Sequence, residues 1–197
     1  MSRPAAVLVV ALSLAMTVVL AGTAAAQTPA RAPAPAAPAA PADPFGEPVT
    51  LPAQTIVFVS GQANWDSAFE TLVEAFKRLN AYLDQHKIAP SGPAMTVYTQ
   101  TDDTGFSFQA ALPVAAPPAE PPPAGIAVGT SPGGQALKFV HRGSYDTLDA
   151  TYEAITNELD RKGLDAKDMF IEEYVSDLLK TAEDRLVVNI YVPIRTP

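Results

Sequence analysis

A carboxylate among aromatic residues is the part of this sequence whose residue types best suit chemistry. Phe170, Glu172 and Tyr174 alternate along an apolar run, so a β-strand here would place all three side chains on one face. A carboxylate among aromatic rings is costly to leave unpaired. The pattern therefore predicts either a basic partner within the protein, such as Lys138 or Arg185, or a place kept for a cationic ligand.

Aromatic side chains at two predicted helix starts could form the walls of such a site. Trp65 and Tyr145 could stack on a flat ligand and attract a cation through contacts worth about 0.5–2 kcal/mol each. Both could instead begin apolar core stripes, and Tyr98, Phe108 and Tyr191 fit either role equally well. The residues we predict to bind ligand are Glu172, Tyr145, Trp65, Tyr174, Tyr98 and Phe108.

Other site chemistries find little support in the residues. The chain has no cysteine, no Gly-x-Ser-x-Gly elbow and no phosphate-binding glycine loop. Its two histidines, His86 and His141, fall on different predicted elements, which does not supply the ligand set of a metal site. We expect no metal and no cofactor, and we expect His141 to form hydrogen bonds near a turn.

A long internal repeat organises the chain. Trp65-Asp66-Ser67 is echoed 80 residues later by Tyr145-Asp146-Thr147, and residues 111–114 (Ala-Leu-Pro-Val) by residues 191–194 (Tyr-Val-Pro-Ile). Such a repeat indicates one supersecondary unit used twice. Two such halves usually pack about a pseudo-two-fold axis, and the groove on that axis is a natural ligand site.

The first half predicts the order β-α-β-β. Residues 55–59 are β-branched and aromatic, and residues 95–99 and 105–112 give two further strands. Asn64 is expected to cap a helix of about twenty residues. Its apolar stripe consists of Trp65, Phe69, Leu72, Phe76, Leu79 and Leu83.

The second half repeats this order after a proline-rich separator at residues 117–125. Strands are predicted at 136–142, 169–175 and 185–192, with a helix that Ser144 caps and Gly163 ends. We therefore predict an α+β fold of tandem β-α-β-β repeats with pseudo-two-fold symmetry. The sheet should be largely antiparallel, with two long helices on one side.

The register of the strand around Glu172 decides which carboxylate reaches the groove. If Glu173 faced inward instead, every face assignment in this strand would reverse. The matching position in the first half is Thr96, so only one half supplies an acid.

The N-terminal residues predict export rather than folded structure. Residues 1–26 combine a basic start, an apolar run and a small-residue cleavage site, as in a signal peptide, although an uncleaved membrane anchor is the alternative. Residues 27–51 are predicted to be an Ala/Pro-rich linker, and 52–197 the domain, with half-repeats at about 52–114 and 125–197. We expect a periplasmic or secreted protein without a membrane span after cleavage.

The net charge of the chain limits which classes of partner it can bind. A formal net charge of −8, with lysines and arginines scattered along the chain, argues against nucleic acid as a partner. The acidic residues could simply form a solvated surface, or they could attract cationic ligands. The lack of cysteine removes disulfides and thiol chemistry together.

Three motifs in order carry a family resemblance. His141-Arg142-Gly143-Ser144-Tyr145, then Glu172-Glu173-Tyr174, and then residues 191–194 resemble the GyrI-like small-molecule-binding superfamily. This group includes effector-binding domains of AraC-type and MerR-type regulators. The resemblance implies a tandem β-α-β-β fold with a ligand groove between the halves, and it implies that Glu172 and Tyr174 belong to that groove.

Three functions remain open at this point. The favoured one is an exported small-molecule-binding domain that captures an amphipathic, cationic ligand in an aromatic groove with Glu172 as counter-charge. The alternative is a hydrolase of small electrophilic compounds in which Glu172 acts as general base. A weaker alternative is an adaptor with a protein partner in the cell envelope, held out by the linker. Binding without turnover is favoured over catalysis.

Overall fold

The structure is a computed structural model that describes residues 45–195. The predicted signal peptide and residues 27–44 of the predicted linker lie outside these described residues. The strands and helices are, in chain order, β1 (Phe45–Leu51), β2 (Thr55–Asn64), α1 (Ala68–Gln85), β3 (Ala94–Thr101), β4 (Gly105–Pro113), β5 (Ala127–Thr130), β6 (Gly134–Gly143), α2 (Leu148–Lys162), β7 (Phe170–Tyr174) and β8 (Leu186–Pro193).

All eight strands form one antiparallel sheet in the order β1-β6-β8-β7-β3-β4-β2-β5. Each half contributes the predicted β-α-β-β unit, and the halves meet where β3 pairs with β7. The repeat is visible in the pairing, since Ile56 opposite Pro113 reappears 80 residues later as Ala136 opposite Pro193. The prediction of a tandem α+β fold is confirmed.

The segment that precedes each half forms an edge strand on the other half. β1 pairs with β6 of the second half, and β5 pairs with β2 of the first half. Residues 45–51 were predicted to belong to the linker, whereas they form strand β1. Gly46 and Pro48 are uncommon in strands, yet the Phe45 and Phe139 rings pack in a T-shaped arrangement with centroids 5.0 Å apart, and Lys162 Nζ donates to the Gly46 carbonyl at 2.6 Å.

The sheet curls until its two ends meet. Residues 52–54 must join β1 to β2, which are six strand spacings, or about 29 Å, apart in a flat sheet. The connection can span only about 14 Å, so a flat sheet is excluded. The two connections, 52–54 and 131–133, bond to each other: Gln54 N–H donates to Ser131 Oγ at 3.0 Å, and Ser131 N–H to the Gln54 carbonyl at 2.8 Å.

Each helix begins with one turn of 3-10 helix, at Trp65–Ser67 and Tyr145–Thr147. Asn64 caps the first as predicted, because its side-chain oxygen accepts the Ser67 N–H at 3.0 Å. The side chain of Ser144 makes no such bond, so that predicted cap is wrong, and the Ser144 carbonyl instead accepts the Thr147 hydroxyl at 2.7 Å. Gly163 ends α2 with φ at 60°, a conformation that glycine adopts without strain.

Both helices pack on one face of the sheet and form the main core with it. Typical members, all at most 1% exposed, are Leu72, Phe76 and Leu79 of α1, and Val57, Tyr98 and Ile190 of the sheet. The other face carries a smaller cluster around Ile56, Val97 and Ile171. Within residues 45–195, neither helix combines the length and the apolar character that crossing a membrane would need.

Candidate functional site

A cleft of about 780 Å³ opens between the starts of the two helices and the central strands β3 and β7. Its aromatic walls are Trp65, Tyr98, Tyr145, Tyr152 and Phe170. Carboxylates are the other main component, with Asp66, Asp102, Asp103, Asp146 and Asp149 in the lining together with Glu172. Both halves of the repeat contribute to this lining, as expected of a groove between them.

Glu172 is almost fully buried in this cleft, with 1% of its surface exposed. Three tyrosine hydroxyls donate hydrogen bonds to its carboxylate. Tyr152 donates to Oε1 at 2.7 Å, and Tyr98 and Tyr174 both donate to Oε2 at 2.9 Å. The carboxylate is thus held in one orientation by donors that carry no charge.

Two further hydroxyls stand behind these donors. The Tyr98 and Tyr145 oxygens are 2.9 Å apart, and because Tyr98 donates to Glu172, Tyr145 must donate to Tyr98. By the same reasoning, Thr96 donates to the Tyr174 hydroxyl at 3.0 Å. Chains of this kind polarise each hydroxyl toward the carboxylate and strengthen its bonds.

The titration of this cluster is governed by burial. Burial raises the pKa of the Glu172 carboxyl above its ordinary value, while the bonds from Tyr152, Tyr174 and Tyr98 act to lower it. Burial, and next the nearby Glu172 charge, hold the pKa of Tyr98 and of Tyr152 well above the ordinary value. The tyrosine hydroxyls therefore stay protonated and remain donors at neutral pH.

No basic side chain neutralises Glu172 within residues 45–195. Lysine, arginine and histidine are missing from the cleft lining in that range. Lys138 is the cross-strand partner of Tyr191, whose hydroxyl donates to Glu173 at 3.1 Å, so it lies on the opposite face of the sheet. Arg185 is exposed, 3.9 Å from Asp184. The alternative that Lys138 or Arg185 pairs with Glu172 is therefore wrong.

The sequence match to known families agrees with this geometry. The model of the GyrI-like small molecule binding domain matches residues 47–195, which is most of the chain. The chain belongs to the GyrI-like family. No curated protein matches it in sequence.

Solved structures with the same fold include proteins of several descriptions. The EcmrR C-terminal domain has a TM-score of 0.66 and 12% identity, covering 78% of this chain and 98% of that chain. In an EcmrR–DNA complex the longer EcmrR chain gives a TM-score of 0.67 at 12% identity, and the match covers 78% of this chain but only 58% of that one.

Two other solved structures are a hydrolase and a ligand complex. A hydrolase from Listeria innocua has a TM-score of 0.54 and 11% identity, covering 78% of this chain and 93% of that chain. SAV2435 bound to tetraphenylphosphonium has a TM-score of 0.55 and 14% identity, covering 77% and 94%. At such identities these likenesses show the fold alone.

Four of the six predicted site residues line the cleft of this GyrI-like domain: Glu172, Tyr145, Trp65 and Tyr98. Trp65 is 43% exposed, and its indole Nε1 donates to the Asp102 carbonyl at 2.8 Å, which holds the ring at the rim. The inner wall is tighter, because Tyr98 stacks on Phe170 with ring centres 4.3 Å apart and planes 19° apart.

The other two predicted residues lie outside the lining. Tyr174 stands behind Glu172, buried, and reaches the site through its hydroxyl. Phe108 belongs to the core, where its ring covers Gly61 so closely that a Cβ there would be 2.7 Å from it. Strand alternation predicted correctly that Phe108 lies on the helix-covered face of the sheet. Its strand, β4, is one strand farther from the junction of the halves than β3, and Phe108 does not line the cleft.

Several residues of the cleft were not predicted from the sequence. Tyr152 was not among the predicted site residues, although it follows Tyr145 by two helical turns and so shares its face. Asp66 and Asp146 follow the two repeated aromatic residues, and this repeated aromatic–Asp pair was the available signal. The turn that contributes Asp102 and Asp103 reaches the cleft only through the tertiary fold.

His141 has the structural role expected of it. Its Nε2 donates to the Ser144 carbonyl at 3.0 Å, and its Nδ1 is hydrogen-bonded to the Thr151 hydroxyl at 2.8 Å. These bonds join the end of β6 to the first turns of α2. In the part of the chain that the structure describes, no three histidine, aspartate or glutamate side chains are arranged so that they could hold a metal ion.

Proposed function

We propose that this chain is an exported GyrI-like small-molecule-binding protein whose cleft captures an amphipathic organic cation. The observation that carries the proposal is the Glu172 carboxylate, 1% exposed in an aromatic cleft and held by neutral hydroxyl groups. Hydroxyl donors stabilise its charge without cancelling it, so the desolvation cost of a buried ion persists. A bound cation would supply the missing opposite charge.

The walls support the amphipathic half of this proposal. Tyr98, Tyr152 and Phe170 form a connected aromatic surface, with Tyr152 and Phe170 ring centres 4.9 Å apart. Aromatic faces stabilise an adjacent cation by about 0.5–2 kcal/mol each and bury the apolar groups it carries. The five aspartates of the lining raise the local concentration of cations and disfavour anions.

Tetraphenylphosphonium is a suitable probe because it combines a delocalised positive charge with four aromatic rings, and because SAV2435, which shares the fold, was solved with it. Trp65 is the single tryptophan of the chain and lies at the rim, so its fluorescence should report occupancy. Tetraphenylborate, of similar shape and opposite charge, is the matched probe. We expect saturable quenching by the cation and none by the anion.

Glu172→Gln and Glu173→Gln form a matched pair of variants. Both remove one negative charge from β7, but Glu173 lies on the opposite face, bonded to Asn189 at 2.8 Å. We expect Glu172→Gln to weaken cation binding roughly 10- to 100-fold, as for a lost buried ionic contact. Glu173→Gln should bind like the wild type. Equal affinities in both variants, or equal binding of cation and anion, would overturn the proposal.

Hydrolysis is the second candidate function. The raised pKa that burial gives Glu172 suits a general base, and a Listeria innocua hydrolase shares the fold. Against it, the carboxylate already accepts three hydroxyl bonds, which leaves less capacity to bind and activate water. Product formation from small electrophilic compounds, lost in Glu172→Gln and kept in Glu173→Gln, would favour this function over binding.

Export is the remaining part of the proposal and rests on the sequence of residues 1–26. Cleavage after Ala26 would leave Gln27 as the first residue of the mature protein. Intact-mass measurement of the protein isolated from the expressing cells tests this. A chain that retains residues 1–26 and fractionates with membranes would show an anchor instead.

A further inference from the structure

A second, smaller cavity of about 270 Å³ lies between α1, the start of β3 and the end of β7. Phe76, Asn80, Ala94, Leu112 and Tyr174 contribute to its lining. The chain after β7 closes one side of it, where Val175 is 54% exposed. Tyr174 separates this cavity from the cleft, since its ring lines the cavity and its hydroxyl bonds Glu172.

Along strands β3 and β7, pseudo-symmetry relates the floor of this cavity to that of the cleft. In the cleft, Tyr98 of β3 lies opposite Phe170 of β7, and their rings stack. At the symmetry-related pair, Tyr174 of β7 lies opposite Ala94 of β3. A methyl group thus stands where the cleft has a phenyl ring, and the aromatic ring that contacts Tyr174 here is that of Phe76, edge-on with ring centres 5.5 Å apart.

The lining of this cavity is electrically neutral. The position that corresponds to Glu172 is Thr96, a hydroxyl. Asp177 is the single acid of the lining within residues 45–195, and Lys180 Nζ pairs with it at 2.7 Å. Asn80 offers an acceptor, because its Nδ2 donates to the Phe76 carbonyl at 2.8 Å while its Oδ1 has no hydrogen-bond partner among the described residues.

We propose that this cavity is a binding site for a small neutral aromatic compound with one hydrogen-bond donor. The ring packs on Tyr174, in the place that Phe170 takes on Tyr98, and its N–H or O–H donates to Asn80 Oδ1. A cavity of roughly 150 Å³ already accepts benzene, so the larger volume here suits a fused pair of rings. Charged ligands are disfavoured, because no opposite charge is left to compensate their desolvation.

Indole is the probe that tests this site. Titration of the purified protein with indole, followed by methyl NMR, should shift the signals of Val175, Leu178 and Leu112 saturably. Leu148, which lines the main cleft, should be little affected. Benzothiophene, which has the same shape but no N–H, should bind several-fold more weakly.

Ala94→Phe fills the cavity with the side chain found at the symmetry-related position, Phe170. Ala94→Leu fills it with a smaller side chain. Both variants should lose indole binding, whereas Ala119→Phe, the same change at an exposed position, should retain it. Tetraphenylphosphonium binding by the Ala94 variants verifies that they are folded, and thermal melting does so if that probe fails on the wild type. Absence of saturable shifts, shifts centred on Leu148, or binding that survives both Ala94 substitutions would overturn the proposal.

Because indole carries no charge and this cavity excludes Glu172, the two proposals fail separately. A protein that binds indole here but no organic cation refutes the proposed function alone. A protein that binds the cation but no indole refutes this site alone.

Discussion

Thr96 and Glu172 are direct cross-strand partners at the junction between β3 and β7. The repeat relates the two flanking pairs, Ala94 with Tyr174 and Tyr98 with Phe170, to each other. The pseudo-two-fold axis therefore passes between Thr96 and Glu172. Both side chains are buried, at 0% and 1% exposure, and both bond the Tyr174 hydroxyl, at 3.0 and 2.9 Å. One repeat position thus carries a hydroxyl in one half and a carboxylate in the other, and the two act on the same tyrosine.

Replacing Thr96 by Val tests this relationship. The variant keeps the shape but leaves the Tyr174 oxygen without its donor, so we expect a loss of about 1 kcal/mol in the free energy of unfolding. The matched control is Thr99→Val on the same strand, whose hydroxyl makes an exposed 3.2 Å bond to a carbonyl. Urea denaturation measures both. A Thr96 variant as stable as the Thr99 variant would contradict the importance of this bond.

Tyr152→Phe should shift the midpoint of the pH dependence of cation binding to higher pH. Tyr152 is the donor to Oε1, and its bond lowers the pKa of Glu172, so its loss lets burial raise that pKa further. Dissociation constants measured from about pH 4 to 8 give the midpoint. Tyr82→Phe is the control, since the Tyr82 hydroxyl is buried without a partner among the described residues. An unchanged midpoint in Tyr152→Phe would count against the assignment.

Glu172→Gln should stabilise the ligand-free domain increasingly as pH rises. A carboxyl whose folded-state pKa is raised contributes stability that is full below its ordinary pKa and is lost as pH passes through the folded value. Glutamine does not titrate, so the Tm difference from wild type should grow from about pH 4 to about pH 8. Glu173→Gln is the charge-matched control. A difference that shrinks with rising pH would reverse the sign assigned to Glu172.

Association with a cation should depend on the acidic rim. The double variant Asp66→Asn, Asp146→Asn removes two lining charges, and we expect it to slow association several-fold at low salt. The difference should disappear above roughly 0.5 M salt, where screening is nearly complete. Asp160→Asn with Asp165→Asn removes equal charge from exposed positions outside the lining. Stopped-flow measurements that show the same slowing in both double variants would point to net charge alone.

Much of the fold follows from the sequence because periodicity reports local structure. The stripe from Phe69 to Leu83 and the alternation from Phe106 to Leu112 each repeat with the spacing of one element, so helix and strand were predictable. The 80-residue echo predicted the pairing of halves. β1 and β5 were not predicted, because short segments with glycine or proline become strands only by pairing with the edge of an existing sheet.

The site was predictable in its centre and less so at its margins. Glu172 stood out because a carboxylate on an apolar face needs an explanation, and the structure places it in the cleft. Tyr152 and Phe170 were not among the predicted site residues, since an aromatic residue in a periodic pattern looks the same whether it borders a cleft or a packed interior. Distance from the axis, which separates Tyr98 from Phe108, depends on strand order and leaves no local signature.

The reciprocal bonds between Gln54 and Ser131 have a consequence for how a ligand can enter. They fasten the two ends of the sheet to each other, while β3 and β7 join the halves at the opposite side. The halves are therefore connected at both sides, which opposes a movement of one half away from the other. Admission to the cleft then falls to small rearrangements at its rim, such as rotation of the half-exposed Trp65 ring or displacement of the turn at Asp102. The domain would act as a rigid receptacle, with selectivity fixed before the ligand arrives.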